Sequence, residues 1–275
     1  MVRLKSLVQE SVAAPTLLIL PGIDGNYCNF EPLAANLSCH VFCLQYDDNY
    51  TMDHTIDQIA EYLLSCLHGY LSSSAPFVIA AYSMSSVMAV HLVSVLEKEG
   101  KTGQLILIDG SPQMLQTIIT HLIPDTDNEH MLQSFIMTGF VKSYIAFSDI
   151  LKLKNSLLKC KDFDEQMDLI LEHVPKRFRK FPNHTKNVVK SAFGRCKAII
   201  TYKPKFKKLK TIVTLIKPKK ALLSEISHDY DLQNLCQAPV QVHVIEGNHH
   251  SMLKSDNLQL ILNKIVNNCE AAAIE

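Results

Sequence analysis

The sequence predicts an α/β protein in which a mostly parallel sheet carries an inserted helical cap. Apolar runs of strand length alternate with segments of helical period, which is the pattern of a parallel sheet covered by helices. The alternation stops between residues 111 and 210, where amphipathic segments such as 131–150 show no strand-like spacing, and it resumes at residue 211. We therefore expect one domain over 1–275, with a core formed by 1–110 and 211–275 and a cap formed by 111–210.

The elements of the core follow from apolar periodicity and from the residues that end each run. The first strand, Thr16–Leu20, is a short apolar run followed by a Pro-Gly loop. The first long helix is expected to have Asp53 as its N-cap and to end before Gly69, because these residue types favour helix ends. Further strands are predicted at 40–45, 76–81, 104–108, 211–216 and 240–245, and further helices at Ser85–Lys98 and 252–266.

Composition excludes several classes of protein. The chain has 275 residues, 47% hydrophobic and 20% charged, so it can bury a large core and is neither disordered nor fibrous. No apolar run reaches the roughly 18 residues of a membrane span, and the start of the chain lacks a secretory apolar region. We therefore expect a cytoplasmic protein. The 8 cysteines form neither a C-x-x-C pair nor a metal-ligand spacing, which predicts reduced structural thiols and no metal site.

Charge is unevenly distributed along the chain, although 27 basic and 27 acidic residues cancel. Residues 176–220 contain 16 lysines and arginines and no acidic residue, which leaves 11 basic and all 27 acidic residues elsewhere. A protein this polarised is expected to meet a charged partner with one face. Nucleic acid is a weak candidate, because the basic segment contains aromatic residues but no recognition motif.

One serine stands where a strand runs directly into a helix. The segment 76–86 places Ser83 at this corner, which is the context of the Gly-x-Ser-x-Gly nucleophile elbow. The flanking elbow positions need small residues because strand and helix cross closely, and they hold Ala81 and Ser85. A serine after a strand can also be a simple helix N-cap, so the motif alone leaves both roles open.

Candidate partners for this serine follow two other strands. A serine hydroxyl needs a general base that is held in place by a carboxylate. His249 comes just past the last strand and Asp109 just past the fourth, so both are expected at the carboxyl edge of the sheet. The order serine, aspartate, histidine is that of the α/β-hydrolase fold, which we therefore predict. Asp229 and His250 remain alternatives for the acid and the base.

An oxyanion hole of backbone N–H groups is the fourth requirement of such a site. One donor is expected from Met84, directly after the serine, and the other from Ile23 in the loop after the first strand. The chain has only 9 glycines, and four of them lie in the loops that the site needs: Gly22, Gly25, Gly110 and Gly247.

With these residues in place, the sequence resembles a known family, the thioesterase domain at the C-terminal end of animal fatty acid synthase. The resemblance covers nearly the whole chain. It is carried by residues 1–6, Ile23-Asp24-Gly25, Tyr82-Ser83, Leu107-Ile108-Asp109-Gly110-Ser111-Pro112, Asp229-Tyr230-Asp231-Leu232 and Val242-His243-Val244-Ile245-Glu246-Gly247. It implies Ser83 as nucleophile, His249 as base, Asp109 as acid, and Ile23 and Met84 as oxyanion donors.

The chain departs from the family pattern at three places. Glycine is absent at positions 81 and 85, Pro21-Gly22 stands where the family often has His-Pro, and Asn248 replaces the aspartate before the histidine. These departures bear on the level of activity rather than on the fold.

The resemblance implies hydrolysis of long-chain fatty acyl thioesters through an acyl-serine. It implies no cofactor beyond the phosphopantetheine that carries the substrate, and the partner would be acyl carrier protein or another domain of a fatty acid synthase. The cap supplies apolar residues for an acyl chain, among them Phe135, Phe140 and Phe147, for which ordinary helix packing is the alternative. Lys205, Lys207 and Lys208 are predicted to contact the acidic carrier beside the site entrance.

Two further interpretations stay open at this point. The chain could be a non-catalytic or weakly active acyl-binding or docking domain, because the elbow has lost its glycines at positions 81 and 85. It could also be a stand-alone editing thioesterase or a carboxylesterase, since the same three side chains serve both reactions.

Overall fold

Two compact units make up the chain. The computed structural model describes residues 1–5, 15–23, 25, 27–45, 54–71, 75–123, 125–141, 145–222 and 226–271. The first unit comprises Met1–Tyr46, Thr55–Leu115 and Tyr202–Glu275, and the second comprises Asp47–His54 and Gln116–Thr201. The predicted cap, 111–210, is therefore longer at both ends than the helical part of the second unit.

The first unit is built on a seven-stranded sheet with the strand order β1-β3-β2-β4-β5-β6-β7. Every neighbouring pair is parallel except β1 and β3, which are antiparallel. The strands are β1 (Val2–Lys5), β2 (Thr16–Leu20), β3 (His40–Cys43), β4 (Phe77–Tyr82), β5 (Gly103–Ile108), β6 (Ile212–Lys220) and β7 (Gln241–Asn248). The six predicted strands are confirmed, with shifts at their ends.

The edge strand β1 was not predicted. It has only four residues, two of them charged, and it pairs with β3 through contacts far along the chain, such as Val2 with Cys43. Charged side chains suit an exposed sheet edge because they discourage pairing with another molecule. The central strands show the opposite pattern, since every residue of β4 is buried.

Helices flank this sheet and form the second unit. They are α1 (Glu31–Ala35), α2 (Ile56–Leu71), α3 (Ser85–Lys98), α4 (Pro112–Leu122), α5 (Glu129–Val141), α6 (Phe147–Leu157), α7 (Phe163–His173), α8 (Lys176–Arg179), α9 (Pro182–Thr201) and α10 (Asp256–Ala271). The predicted helix Ser85–Lys98 is confirmed at both ends. The predicted last helix, 252–266, divides into a 3-10 turn at Ser251–Lys254 followed by α10.

The ends of α2 differ from the prediction. Asp53 lies outside the described residues. A capping box starts the helix instead, because the Thr55 N–H donates to Gln58 Oε1 at 2.9 Å and the Gln58 N–H donates to Thr55 Oγ1 at 3.3 Å. Gly69 does not end the helix, which continues to the buried side chain of Leu71. The glycine lies on an exposed face, where nothing would contact an added Cβ.

The second unit has its own apolar core. Eight buried side chains from α5, α6, α7, α9 and the residue after α7 form it: Met137, Val141, Leu153, Leu157, Met167, Ile170, Val174 and Val189. The amphipathic segment predicted over 131–150 contributes α5 and the start of α6. Asp162 caps α7 by accepting hydrogen bonds from the N–H groups of Asp164 and Glu165.

The described residues bear on three expectations, which concern membrane-spanning helices, cysteine thiols and metal-ligand clusters. None of the helices there has the length and apolarity needed to cross a bilayer. All eight cysteines belong to the described part and are free thiols, five of them buried. In the same part of the chain, no group of three or more histidine, cysteine and carboxylate side chains is arranged to hold a metal ion.

Candidate active site

The strand β4 turns into the helix α3 at Ser83. The serine has φ +55°, a left-handed conformation that non-glycine residues adopt rarely and that costs energy unless the surroundings hold it. Two backbone hydrogen bonds hold it here. The Ser83 N–H donates to Ile108 O on β5 at 2.9 Å, and Ser83 O accepts from the Ser86 N–H at 3.0 Å. The side chain is partly exposed, so the turn presents a hydroxyl at the carboxyl edge of the sheet.

Small residues around this turn allow the backbone segments to approach closely. Ala81 and Ser85 are both fully buried, and the Ser85 hydroxyl donates to the backbone carbonyl of Pro21 in the loop after β2. A Cβ on Gly110 would lie 2.3 Å from Ser83 O, so only glycine fits there. The elbow therefore retains its geometry although glycine is absent at positions 81 and 85.

Asp109 lies at the end of the neighbouring strand β5. Its N–H donates to Ile216 O on β6 at 2.8 Å, and its φ of +48° turns the chain away from the sheet. The side chain is 1% exposed. Both carboxylate oxygens are engaged: Oδ2 lies 2.6 Å from His249 Nδ1, and Oδ1 accepts a hydrogen bond from the Tyr230 hydroxyl at 2.8 Å. A buried carboxylate is thus compensated by two close donors.

His249 follows β7 and is held by contacts on both its ring and its backbone. Gly247 has φ +113°, and Asn248 Oδ1 accepts hydrogen bonds from the N–H groups of His250 and Ser251 at 3.0 and 2.9 Å. Asn248, which departs from the family pattern, therefore closes the turn with its side chain. The Nδ1 contact with Asp109 leaves Nε2 as the ring nitrogen available for proton transfer.

The structure separates the alternatives for acid and base. Asp229 accepts hydrogen bonds from the N–H groups of Asp231 and Gln233 at 3.1 and 2.9 Å, so it stabilises its own turn. His250 is exposed and contacts the ring of His249 edge-on, with the centroids 5.2 Å apart. Asp109 and His249 are the acid and base candidates that the structure brings together.

The two predicted oxyanion donors lie in segments that are joined to each other. Met84 immediately precedes α3, and Ile23 follows Gly22 in a turn that the Gly25 N–H closes by donating to Gly22 O at 3.0 Å. The hydrogen bond from Ser85 to Pro21 O connects the first turn of α3 to this loop. Asp24 lies outside the described residues. Backbone N–H groups at a helix N-terminus favour a developing negative charge.

The predicted acyl-chain residues belong to the second unit. Phe140 is half-buried against the apolar core of that unit, and Phe135 is half-buried on α5. The side chain of Phe147 lies outside the described residues. Their role toward a substrate stays a prediction.

The lysines predicted to contact a carrier lie at the opposite edge of the sheet. Lys205, Lys207 and Lys208 are exposed and precede the start of β6, where Lys208 Nζ donates to Gln233 O at 3.1 Å. The adjoining Thr211 donates its N–H to Glu97 Oε1, near the end of α3, at 2.7 Å. Because the strands β4 to β7 are parallel, these lysines precede the amino edge of the sheet, whereas Ser83, Asp109 and His249 follow its carboxyl edge. Their contact with a carrier stays a prediction.

Tyr230 is the functional candidate that sequence reasoning missed. It belonged to a segment quoted only for the family resemblance, and nothing in its spacing connects it with Asp109, 121 residues away along the chain. The one available signal was chemical, since a tyrosine in an apolar setting requires a partner for its hydroxyl.

Known protein families and structures share this architecture. The family described as "Thioesterase domain" matches residues 15–270. A thioesterase domain named Vlm2, with a bound dodecadepsipeptide, is similar at TM-score 0.65 and 17% identity, covering 96% of this chain and 97% of that one. The type II thioesterase BorB from the borrelidin cluster is similar at TM-score 0.59 and 16% identity, with 92% of each chain covered.

A four-domain nonribosomal peptide synthetase, bound to AMP and glycine, is also similar, at TM-score 0.73 and 15% identity over 96% of this chain. The chain spans only 20% of the length of that synthetase. At these identities the structural matches establish the fold, and the predicted α/β-hydrolase fold is confirmed. Because the family match extends over most of the sequence, the chain belongs to the thioesterase domain family, a family of hydrolases that act on acyl thioesters.

Proposed function

We propose that the protein releases fatty acids from an acyl carrier protein, with Ser83, His249 and Asp109 as its catalytic triad. The observation that carries the proposal is the 2.6 Å contact between Asp109 Oδ2 and His249 Nδ1, at the sheet edge where Ser83 forms a strained elbow. A carboxylate in this position selects the imidazole tautomer with its proton on Nδ1, so Nε2 is free to act as a base.

Each step of the reaction then has a residue to perform it. His249 Nε2 takes the hydroxyl proton as Ser83 Oγ bonds to the thioester carbonyl carbon. The carbon–sulfur bond breaks, and the imidazolium returns its proton to the departing thiolate of the phosphopantetheine arm. Water then gives a proton to His249 as its oxygen attacks the acyl-serine. The free acid leaves, and the proton returns to Ser83.

We assign the stabilisation of the negatively charged tetrahedral oxygen to the N–H groups of Ile23 and Met84, which would donate hydrogen bonds to it. Removing one donor of this kind typically costs about 3 to 4 kcal/mol of transition-state stabilisation. The hydrogen bond from Ser85 to Pro21 O supports this assignment, because it holds the Ile23 loop next to the helix that follows the nucleophile. The protein supplies nucleophile, base, acid and oxyanion donors, so the proposed chemistry requires no cofactor.

The nature of the substrate rests on two lines of support. The similar synthetase contains several domains, which is consistent with a thioesterase that receives its acyl group from a carrier in the same assembly. The fatty acyl part is supported by the segments that resemble the fatty acid synthase domain, especially Asp109-Gly110-Ser111-Pro112. A cytoplasmic location would accompany such a role.

Hydrolysis of palmitoyl thioesters by wild type, Ser83→Ala and Ser86→Ala tests the proposal. Ser86 is a buried neighbour of Ser83 whose hydroxyl has no hydrogen-bond partner among the described residues, so its replacement by alanine is a control for the loss of a serine hydroxyl at the elbow. We expect Ser83→Ala to lose at least about 1,000-fold in kcat and Ser86→Ala to keep its rate. Equal rates in wild type and Ser83→Ala would refute the triad. A preference for oxygen esters would indicate a carboxylesterase, and a preference for aminoacyl or peptidyl thioesters would exclude fatty acyl release.

A non-catalytic acyl-binding domain is the second candidate, because glycine is absent from both elbow positions. Against it stand the left-handed Ser83 and the buried, small side chains of Ala81 and Ser85. A fluorophosphonate probe separates the two: labelling of Ser83 in the folded protein supports the enzyme, and absence of labelling supports the binding domain.

A further inference from the structure

The carboxylate of Asp109 has a second partner besides His249. The hydroxyl of Tyr230 donates to Asp109 Oδ1 at 2.8 Å, while Oδ2 lies 2.6 Å from His249 Nδ1. Tyr230 and Asp109 are each 1% exposed, so neither hydrogen bond competes with bulk water. A side chain held at both oxygens cannot rotate about its terminal bond without breaking a charge-assisted hydrogen bond.

The backbone of Tyr230 is fixed by several contacts of its own. Tyr230 and Asp231 have φ values of +56° and +59°, a left-handed conformation that non-glycine residues adopt only where their surroundings hold it. The Ser111 hydroxyl donates to Tyr230 O at 2.7 Å, and the Asp231 N–H donates to Ser227 Oγ at 2.7 Å. Because Ser111 lies two residues after Asp109, the acid loop and the tyrosine loop are joined at two points.

A lysine lies over the face of the tyrosine ring. Lys217 Nζ lies 5.0 Å from the centroid of the Tyr230 ring and donates to His228 O at 2.7 Å. Burial and the negative charge of Asp109 raise the pKa of Tyr230 far above its usual value. The phenol therefore stays protonated and acts only as a donor toward the carboxylate throughout the range in which the enzyme would work.

We infer that Tyr230 is a positioning residue of the acyl-transfer reaction, which orients Asp109 so that Oδ2 meets His249 Nδ1. The inference rests on the proposed function, since it assumes that His249 is the base. Without the hydroxyl, Oδ1 would be left buried and unpaired, and the carboxylate would reorient to satisfy it. The imidazolium formed during attack would then lose part of its stabilisation.

Tyr230→Phe tests the inference, with Tyr202→Phe as a matched control. Tyr202 is a second buried tyrosine of the same unit, and its hydroxyl lies 3.2 Å from Nδ1 of His91, a residue outside the proposed site. We expect Tyr230→Phe to lower kcat about tenfold with KM within twofold. The apparent pKa of the acid limb of the kcat profile should fall, because the imidazolium is less well stabilised. Tyr202→Phe should leave kcat and the profile unchanged.

Active-site titration with a fluorophosphonate corrects each rate for the amount of folded enzyme. A Tyr230→Phe variant that keeps kcat and the acid limb, while melting at a lower temperature, would reduce Tyr230 to a structural role. If that variant does not fold, Ser111→Ala loosens the backbone of Tyr230 and keeps its hydroxyl. It should lower kcat and move the acid limb in the same direction, and a folded Ser111→Ala enzyme with neither change would refute the inference. Full activity of Ser83→Ala would instead overturn the proposed function itself.

Discussion

The phenol ring of Tyr82 lies nearly parallel to the imidazole of His249, with ring centroids 4.7 Å apart and an angle of 20° between the planes. The Tyr82 hydroxyl also donates to the backbone carbonyl of His249 at 2.7 Å. Tyr82 is the last residue of β4 and directly precedes Ser83. One side chain therefore fixes the histidine loop to the strand that carries the proposed nucleophile.

Two substitutions of Tyr82 should reduce kcat to different extents. Tyr82→Phe keeps the ring contact and loses the hydrogen bond, so we expect kcat to fall a few-fold. Tyr82→Leu loses both contacts and should lower kcat by roughly tenfold or more, because small displacements of a catalytic base are costly. Steady-state rates on an acyl thioester give both values. Tyr70→Phe is the control, since Tyr70 contacts Phe42 and is exposed. Equal rates for Tyr82→Phe and Tyr82→Leu would show that the ring contact does not position the histidine.

Restoring the usual elbow glycine at position 85 should weaken the enzyme rather than improve it. The Ser85 hydroxyl donates to Pro21 O, a carbonyl in the buried part of the loop that presents Ile23. Both Ser85→Gly and Ser85→Ala remove this buried hydrogen bond, and the loss of one such bond costs about 1 kcal/mol. We expect a lower free energy of unfolding in urea and a lower kcat, since the Ile23 N–H is no longer held. Ser86→Ala serves as the neutral neighbour, and a Ser85→Gly enzyme faster than wild type would contradict the expectation.

The extent to which the site could be predicted depends on how local each feature is. The corner at Ser83 is encoded within a few residues, by an apolar run, small flanking side chains and a helix start, and the sequence predicted it. Asp109 and His249 are 140 residues apart, yet both follow strands of one parallel sheet, so topology alone brought them to one edge. Tyr230 follows no strand, and its contact with Asp109 depends on a left-handed turn that no periodicity reveals.

Differences in the fold have a similar origin. The apolar pattern of β6 ends at Ile216, but the strand continues to Lys220 because its lysines can extend into solvent while the backbone still pairs with β7. The apolar pattern therefore did not show that the basic segment continues along β6 to the carboxyl edge of the sheet. Register and strand length, which tertiary pairing decides, were the missing information.

The lysines at the two ends of β6 should differ in how much they contribute to the binding of a carrier-bound substrate. Lys219 and Lys220 lie at the carboxyl end of β6, where Lys220 pairs with Asn248 beside His249 and Lys219 Nζ contacts Glu246 Oε1 at 2.7 Å. Lys205, Lys207 and Lys208 precede the other end of the strand, whose nine residues span about 26 Å. An acidic carrier that delivers its acyl group to Ser83 should therefore meet the first pair.

Charge reversal at each end tests this expectation. Lys219→Glu with Lys220→Glu should raise KM several-fold for an acyl group on its carrier protein and leave KM for a short pantetheine thioester unchanged. Reversal of Lys205, Lys207 and Lys208 should change neither value. The effect should weaken at high salt, because the contacts are exposed. A larger effect from reversal of Lys205, Lys207 and Lys208 would instead indicate that the carrier binds at the amino edge of the sheet.

His91 should make the stability of the fold depend on pH. Its Nε2 lies 3.0 Å from Asp57 Oδ1 and its Nδ1 lies 3.2 Å from the Tyr202 hydroxyl. Burial lowers the pKa of His91, and this effect, assisted by Lys98, outweighs the attraction of Asp57, which acts in the opposite direction. The unfolded chain therefore binds a proton more readily at this position than the folded protein does.

The sign of the effect follows from that difference. When the unfolded state binds more protons, the free energy of unfolding rises with pH. The contribution of His91 is complete above the ordinary histidine pKa of about 6.5 and is lost as pH falls through the lower value of the folded state. His91→Gln should therefore reduce the slope of the unfolding free energy against pH just below about pH 6.5, by an amount equivalent to less than one bound proton. His68→Gln, at an exposed position on α2, should leave the slope unchanged. Urea unfolding at a series of pH values measures both slopes, and a His91→Gln slope as steep as that of wild type would show that Asp57 compensates fully for burial.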